Sequence, residues 1–157
     1  MKYLLPLLVI FFAGCSIKNY EYSEAKIVTI KSPKIKFSDI GYVRHTDDAI
    51  ELELFEAGHV FQKIDINRMI CVQDGCMSKH SFNKEYLNAS YPNDILQNII
   101  LGHAIYDKKN QHKSDDGFTQ IIKNKSVDIK YRVNAHESFF KDRKNHIIIK
   151  IKEPNGY

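Results

Sequence analysis

The sequence contains three cysteines and seven histidines, the side chains that most often bind metals, act as acids, bases or nucleophiles, or form disulfides. The histidines form neither an H-E-x-x-H nor an H-x-H pair, which are spacings that bring two imidazoles onto one metal ion. The chain also lacks a G-x-S-x-G elbow, a Walker loop and a Rossmann glycine pattern. We therefore predict a non-enzymatic protein with no catalytic residue, metal site or cofactor; a histidine cluster formed only in three dimensions stays an alternative. The histidines are His45, His59, His80, His103, His112, His136 and His146.

Cys15 follows a leader that reads MKYLLPLLVIFFAG. Lys2 gives this leader a positive start, and the apolar run of residues 4–12 is shorter than the roughly 20 residues that cross a bilayer. Ala13 and Gly14, directly before the cysteine, resemble the lipobox of bacterial lipoproteins. The resemblance implies cleavage before Cys15 and a covalent diacylglycerol and N-acyl chain on it, which together make a lasting anchor. The alternatives are a buried N-terminal helix or an ordinary secretory signal with an incidental cysteine.

Cys71 and Cys76 flank the sequence Val-Gln-Asp-Gly. Asp74-Gly75 is a strong turn signal, because glycine adopts positive φ without steric cost. Outside the cytoplasm, two cysteines around such a turn favour a disulfide across a hairpin. The alternatives, a redox or a zinc site, lack the C-x-x-C spacing and a nearby histidine pair. We therefore predict a structural Cys71–Cys76 disulfide.

Most of the remaining chain alternates apolar and polar residues, which is the period of a half-buried strand. Glu56-Ala57-Gly58 between two such runs is typical of a hairpin loop. Sequential strands joined by short turns form an antiparallel sheet. The predicted strands cover residues 27–30, 34–37, 50–54, 60–72, 77–82, 118–122, 127–133 and 147–151.

The clearest helix signal lies in the middle of the chain. Ser90 and Pro92 supply a cap and an early-turn proline, apolar residues then recur at helical spacing over 95–100, and Gly102 ends the run. Residues 83–87 are a weaker second helix, and the polar segment 107–116 is predicted as a flexible loop. The fold class is therefore α+β with β dominant: a curved antiparallel sheet with one or two short helices inserted centrally.

The apolar residues of these elements would line the inner face of a curved sheet around the helix. Such a face is either a filled core or a cavity for an acyl chain, and the residue types suit both. The set consists of Ile50, Leu52, Leu54, Ile64, Ile66, Ile95, Ile99, Ile129, Tyr131, Ile149 and Ile151.

Composition and length divide the chain into three parts. We predict a signal peptide at residues 1–14, a lipidated N-terminus and polar tether at residues 15–25, and a single β-rich domain at residues 26–157. The formal net charge is +4, and basic residues are mixed with acidic ones along the sequence rather than striped. No nucleic-acid partner is therefore predicted.

The order of elements resembles that of the LolB family of outer-membrane lipoprotein receptors and of small envelope lipoproteins thought to share that fold. The resemblance rests on the lipobox, the meander, short helices that open near Tyr91-Pro92, and the closing strands I-K-Y-R-V at 129–133 and I-I-I-K-I at 147–151. It implies a half-open barrel with a helical lid, whose apolar cavity holds the acyl chains of lipoproteins delivered by a periplasmic carrier.

These observations together predict a lipoprotein that binds acyl chains or lipoproteins and whose partners are the membrane, through its anchor, and acyl lipid. Ser16, in place of aspartate after the cysteine, favours the periplasmic face of the outer membrane over the inner membrane. Inner-membrane and cell-surface locations stay open. The alternative function is that of a structural or protein-interaction lipoprotein of the envelope.

Overall fold

The structure is a computed structural model that describes residues 20–154. Within this range the chain forms eleven strands, two α-helices and one short 3₁₀ turn. The strands are β1 (Tyr22–Lys31), β2 (Lys36–His45), β3 (Ile50–Glu56), β4 (His59–Ile66), β5 (Ile70–Val72), β6 (Gly75–Met77), β7 (Gln111–Ser114), β8 (Gly117–Lys123), β9 (Asp128–Asn134), β10 (Glu137–Asp142) and β11 (Ile147–Lys152). The helices are α1 (Lys79–Tyr86) and α2 (Ile95–Leu101), and the 3₁₀ turn is Tyr106–Lys108.

All the described strands join one antiparallel sheet in the order β6-β5-β4-β3-β2-β1-β11-β10-β9-β8-β7. The sheet is curved and open, with β6 and β7 at its two edges. It consists of two meanders that meet where β1 pairs with β11, and there Val28 lies opposite Ile151 and Ile30 opposite Ile149. The prediction of a β-dominant α+β fold with a curved antiparallel sheet is confirmed.

Both helices lie in the segment that connects one edge of the sheet, β6, to the other edge, β7. α1 begins after Ser78, whose hydroxyl accepts a hydrogen bond from the backbone N–H of Ser81 at 3.0 Å. α2 ends at Leu101, and the next residue, Gly102, has a φ of 67° in the left-handed region that glycine adopts without strain. The predicted central helix and its glycine end are therefore confirmed, but the residue at its N-cap is Asp94 rather than the predicted Ser90.

Strand register divides the sheet into an inner face, which the helices cover, and an outer face. On the inner face Leu52 lies between its partners Val43 and Ile64, and all three are buried. Phe82 of α1 and Ile95 of α2 belong to the same buried cluster. Each such side chain contributes about 1.5–3 kcal/mol through burial, so the helices and the sheet stabilise one another.

The predicted strand over residues 77–82 returns from the disulfide turn as β6, but its extension beyond Met77 is wrong. β6 ends at Met77, Ser78 caps a helix, and α1 begins at Lys79. Phe82 and Tyr86, four residues apart on α1, stack with ring centroids 4.7 Å apart. The capping serine and this aromatic pair favour the helix over the strand.

Other boundaries also differ from the sequence predictions. Residues 60–72 form two strands, β4 and β5, rather than one. The segment predicted as a flexible loop contains β7, and β10 was not predicted at all. β1 begins at Tyr22, so residues 22–25 of the predicted tether belong to the sheet.

Candidate functional site

The residues predicted to line a cavity all lie in the buried interior, and none is more than 5% exposed. β3 supplies Ile50, Leu52 and Leu54; β4 supplies Ile64 and Ile66; α2 supplies Ile95 and Ile99; β9 supplies Ile129 and Tyr131; β11 supplies Ile149 and Ile151. They form one cluster together with Phe82 and Leu96 of the helices. The helices therefore fill the space in front of the inner face, and an acyl chain would have to replace helical side chains there.

Two side chains of the sheet hold the C-terminal end of α2. The Tyr131 hydroxyl donates to the carbonyl oxygens of His103 at 3.0 Å and Asn98 at 3.3 Å. The Ser138 hydroxyl donates to the carbonyl oxygen of Ile99 at 2.7 Å. Burial raises the pKa of Tyr131 to about 12, so its hydroxyl stays protonated and remains a donor. The chain between β6 and β7 is called the helical segment; its α2 end is therefore fixed to β9 and β10.

A buried glutamine holds the loop that follows α2. The Gln120 side-chain amide donates to the carbonyl oxygens of Ile105 at 2.9 Å and Lys109 at 2.8 Å, and its oxygen accepts from the N–H of Ile105 at 2.8 Å. Between these contacts the three residues of Tyr106–Lys108 have φ of 47°, 51° and 63°. A left-handed backbone costs a non-glycine residue about 1–2 kcal/mol, so Gln120 stabilises a strained turn.

Asp142 joins the helical segment to two turns of the sheet. This fully buried carboxylate accepts hydrogen bonds from the Tyr91 hydroxyl at 2.7 Å, the Asn145 amide at 2.6 Å and the backbone N–H of Asp128 at 3.1 Å. Burial alone would raise the pKa of Asp142, but the hydrogen bonds from Asn145 and Tyr91 lower it. Burial, and then the hydrogen bond to the carboxylate, raise the pKa of Tyr91.

Two buried side-chain oxygens of the described residues lack a hydrogen-bond partner, and both belong to the helical segment. They are Oδ1 of Asn83 and the hydroxyl of Tyr106. The Asn83 amide nitrogen is satisfied, since it donates to the carbonyl oxygen of Pro92 at 2.9 Å. An unpaired buried polar group costs about 1–3 kcal/mol. Each of these two oxygens would therefore lower the stability of the contact between the helical segment and the sheet.

A groove of about 630 Å³ separates the helices from two turns of the sheet. It is lined by Asp47 and Asp48 of the β2–β3 turn, Asn67 and Arg68 of the β4–β5 turn, and Lys79 and Gln97 of the helices. Ile50, which follows the first turn, and Ile66, which precedes the second, are buried register partners. The groove therefore lies beside the rim of the apolar interior.

The predicted disulfide is confirmed: Cys71 and Cys76 are bonded and are register partners of β5 and β6. It closes the edge hairpin that leads into α1. Cys15, the predicted lipidation residue, lies outside the described residues, as do the predicted signal peptide and residues 15–19 of the predicted tether.

The histidines are dispersed over the domain. His45 stacks on Tyr22 with ring centroids 4.7 Å apart, and the other histidines are exposed. Among residues 20–154, no three histidine, cysteine, aspartate or glutamate side chains stand close enough together to hold a metal ion.

A charged network lies on the outer face of β2, β3 and β4. Glu51, only 4% exposed, accepts from Arg44 at 2.6 Å, and Arg44 also donates to Glu53 at 2.7 Å. Lys63 and the Tyr20 hydroxyl each reach the second Glu51 oxygen at 2.6 Å. Burial would raise the pKa of this carboxylate, but hydrogen bonds from Lys63, Tyr20 and Arg44 lower it to about 2. The first described residue is thereby bound to the outer face.

No protein-family model matches the chain, and no curated protein matches it significantly. In the part of the chain that the structure describes, neither helix is long and apolar enough to cross a membrane.

Proposed function

We propose that this chain is a non-enzymatic lipoprotein of the cell envelope, anchored by acyl chains on Cys15, whose domain binds an acyl chain beneath its helices. The leader and the small residues before Cys15 support the anchor. The observation that carries the binding proposal is the inner face, an apolar surface of a curved, open sheet that one connecting segment covers. The resemblance to the LolB family supports the same combination of anchor and lidded sheet.

Contacts with the sheet differ along the helical segment, which suits a lid: α1 is joined to the β1–β2 turn by the exposed Lys34–Glu85 ion pair. Tyr131 and Ser138 hold the C-terminal end of α2, whereas the groove separates Lys79 and Gln97 from the turns of the sheet. We propose that α1 moves away from the sheet at the groove and that an acyl chain replaces its apolar side chains. Each buried methylene would contribute about 0.8 kcal/mol.

The test uses a chain that begins at Ser16, because it retains every described strand and the whole buried core. After removal of bound lipid, the protein is incubated with palmitate or with a diacylated lipopeptide and measured by native mass spectrometry. We expect one ligand per chain, displaced by a competing acyl chain. Absence of uptake for both ligands would refute the binding proposal.

A cross-link tests whether the helices move. Lys34 forms an ion pair with Glu85 of α1, so a bismaleimide can join cysteines in the variant Lys34→Cys/Glu85→Cys. The control is Thr29→Cys/Ser38→Cys, whose hydroxyls are 2.9 Å apart on neighbouring strands of the outer face. We expect the cross-linked lid variant to lose uptake and the cross-linked control to retain it. Equal uptake by both would exclude this route of entry.

A second candidate function is that of a protein-interaction module, which the open sheet favours. β7 is an edge strand, and residues 112–116, which are the last three residues of β7 and the turn after it, are exposed. An edge strand offers unpaired backbone groups to an extended segment of a partner. A photo-crosslinking residue in place of Lys113 should give one discrete adduct in the envelope, whereas the same residue in place of Lys84, on α1, should not. Identical adducts at both positions would contradict binding at this edge.

A further inference from the structure

The outer face collects lysines into a row that crosses six neighbouring strands. Strand register places one residue from each of β2, β1, β11, β10, β9 and β8 side by side. In that order the row consists of Lys36, Lys31, Ile148, Lys141, Lys130 and Ile121. We call it the lysine row; it contains four cations and no acidic residue.

The charge of the lysine row is not neutralised by this chain. Its four lysines are exposed, and none of them forms an ion pair within residues 20–154. The neighbouring row differs, since Lys150 and Arg132 both contact Glu137. Within the described residues, no carboxylate is therefore close enough to pair with the ammonium groups of this row, which remain available to an external anion.

Apolar side chains accompany these cations on the same face. Ile121 is 49% exposed and Ile40 is 48% exposed. Ile148 and Lys31 each line two grooves, of about 380 and 410 Å³. Ammonium groups on the same face as exposed aliphatic side chains suit a phospholipid interface, where phosphates meet the ends of acyl chains.

Tyr20, the first residue that the structure describes, is bound to this face. Tyr20 is hydrogen-bonded to Glu51, which lies on the outer face beside Arg44. Cys15 precedes Tyr20 by five residues, and that length of chain spans at most about 18 Å. A lipid anchor on Cys15 would therefore lie within about 18 Å of Tyr20, which precedes the end of β1 opposite to Lys31 of the lysine row.

We infer that the outer face is a binding surface for an anionic phospholipid bilayer, with the lysine row contacting the headgroup phosphates. The orientation relative to Cys15 rests on the proposed lipid anchor, but the binding itself requires neither the anchor nor acyl uptake. A domain that lies on the membrane through its outer face turns the helices and their groove away from the bilayer.

The experiment is vesicle flotation of the chain that begins at Ser16, which has no anchor. Vesicles of phosphatidylcholine alone are compared with vesicles that also contain phosphatidylglycerol, at low and high salt. We expect binding that increases with phosphatidylglycerol and is lost at high salt, because the attraction is electrostatic. Equal binding to both vesicles, or none to either, would overturn the inference and leave the acyl-uptake measurement unaffected.

Charge-reversal variants test which face of the domain binds the vesicles. Lys31→Glu/Lys141→Glu should reduce the vesicle partition coefficient about tenfold or more. The matched control is Lys84→Glu/Lys109→Glu, which makes the same change of net charge at exposed positions on α1 and in the loop after α2. We expect the control pair to retain most of the binding. An equal loss in both variants would show that only net charge matters and would overturn the assignment to this face.

Discussion

Glu51 and Asp142 are buried carboxylates whose hydrogen-bond partners come from this chain. Glu51 binds Tyr20, two residues before β1, to the outer face, and Asp142 binds Tyr91 of the helical segment to the sheet. The pKa of each carboxyl is lowered by these donors against the effect of burial. Both groups thus act as charged links between segments that are far apart in sequence.

Glu51→Gln should weaken the acid dependence of stability. The folded pKa of about 2 lies below the ordinary value of 4.5, so the stabilisation is present above pH 4.5 and is lost as the pH falls towards 2. We expect the variant to lose about 2 kcal/mol at neutral pH and to show a shallower slope in that window. Denaturant unfolding at several pH values measures both.

The control for this prediction is Glu56→Gln, an exposed residue of β3 without an ion pair in the described part of the chain. It should change stability by less than about 0.5 kcal/mol. An unchanged acid slope in Glu51→Gln would mean that the network does not hold the carboxylate ionised.

Cys15→Ser tests the proposed anchor by removing the sulfur atom to which the lipid would be attached. The variant has no thiol to receive a diacylglyceryl group, so it should incorporate no radioactive palmitate and should fractionate with the soluble proteins. The control Cys71→Ser/Cys76→Ser removes the other two cysteine sulfur atoms but keeps Cys15. It should therefore still incorporate radioactive palmitate and remain bound to the membrane. Tight membrane association of Cys15→Ser would contradict the proposed anchor.

At the scale of elements, the sequence predicts strands whose inward residues are apolar. β3, β9 and β11 have that pattern and were predicted. β10 was missed because inward Ser138 and Asp142 are polar, and their hydrogen bonds to the helical segment become visible only in three dimensions. β7 carries only polar residues, so its backbone pairing leaves no hydrophobic signal.

The sequence predicted which residues lie on the inner face of the sheet, but not whether the space in front of that face is filled by side chains or open to a ligand. Alternation placed Ile50 and Ile149 correctly inward, yet a core and a cavity use the same side chains. The lysine row was missed for a different reason. Lys31 and Lys130 are about a hundred residues apart in sequence, and the register of several strands is needed to align them.

The edge hairpin should depend on its disulfide. Cys71 and Cys76 close a short loop, for which loop entropy gives a stabilisation of about 2 kcal/mol. We expect Cys71→Ser/Cys76→Ser to lower the free energy of unfolding by about that amount and to speed amide exchange in β5 and β6. Without reduction, a thiol reagent should label neither cysteine of the native domain; ready labelling would contradict the bond.

Gly117 should tolerate no side chain. A Cβ atom there would lie 1.9 Å from the carbonyl oxygen of Val133 on β9, so the backbone would have to separate. We expect Gly117→Ala to cost about 2–4 kcal/mol in thermal or denaturant unfolding. Ser114→Ala, at the paired position of the same hairpin, is the control and should be nearly neutral. A neutral Gly117→Ala would mean that β8 and β9 do not approach as described.

At the scale of the whole molecule, the two meanders share one core and meet at the β1–β11 pairing. A chain that ends at Asn145 lacks β11 and should lose structure in both halves. We expect the amides of β4, at the far side of the sheet, to lose their protection from hydrogen exchange. A chain that ends at Pro154 retains every described strand and should remain protected. Persistent protection of β4 in the shorter chain would show that the first meander folds independently.

The pairing of β1 with β11 also sets the order of events during synthesis. Ile27 of β1 pairs with Lys152 of β11, so one edge of β1 has no partner strand until more than a hundred further residues have been synthesised. Throughout that interval the nascent chain carries an unpaired edge and an uncovered apolar face, both of which favour aggregation. Folding that closes through such distant contacts is slow. A chain exported in an unfolded state would reach its destination before this seam closes, so holding factors that bind unfolded polypeptides would determine its yield.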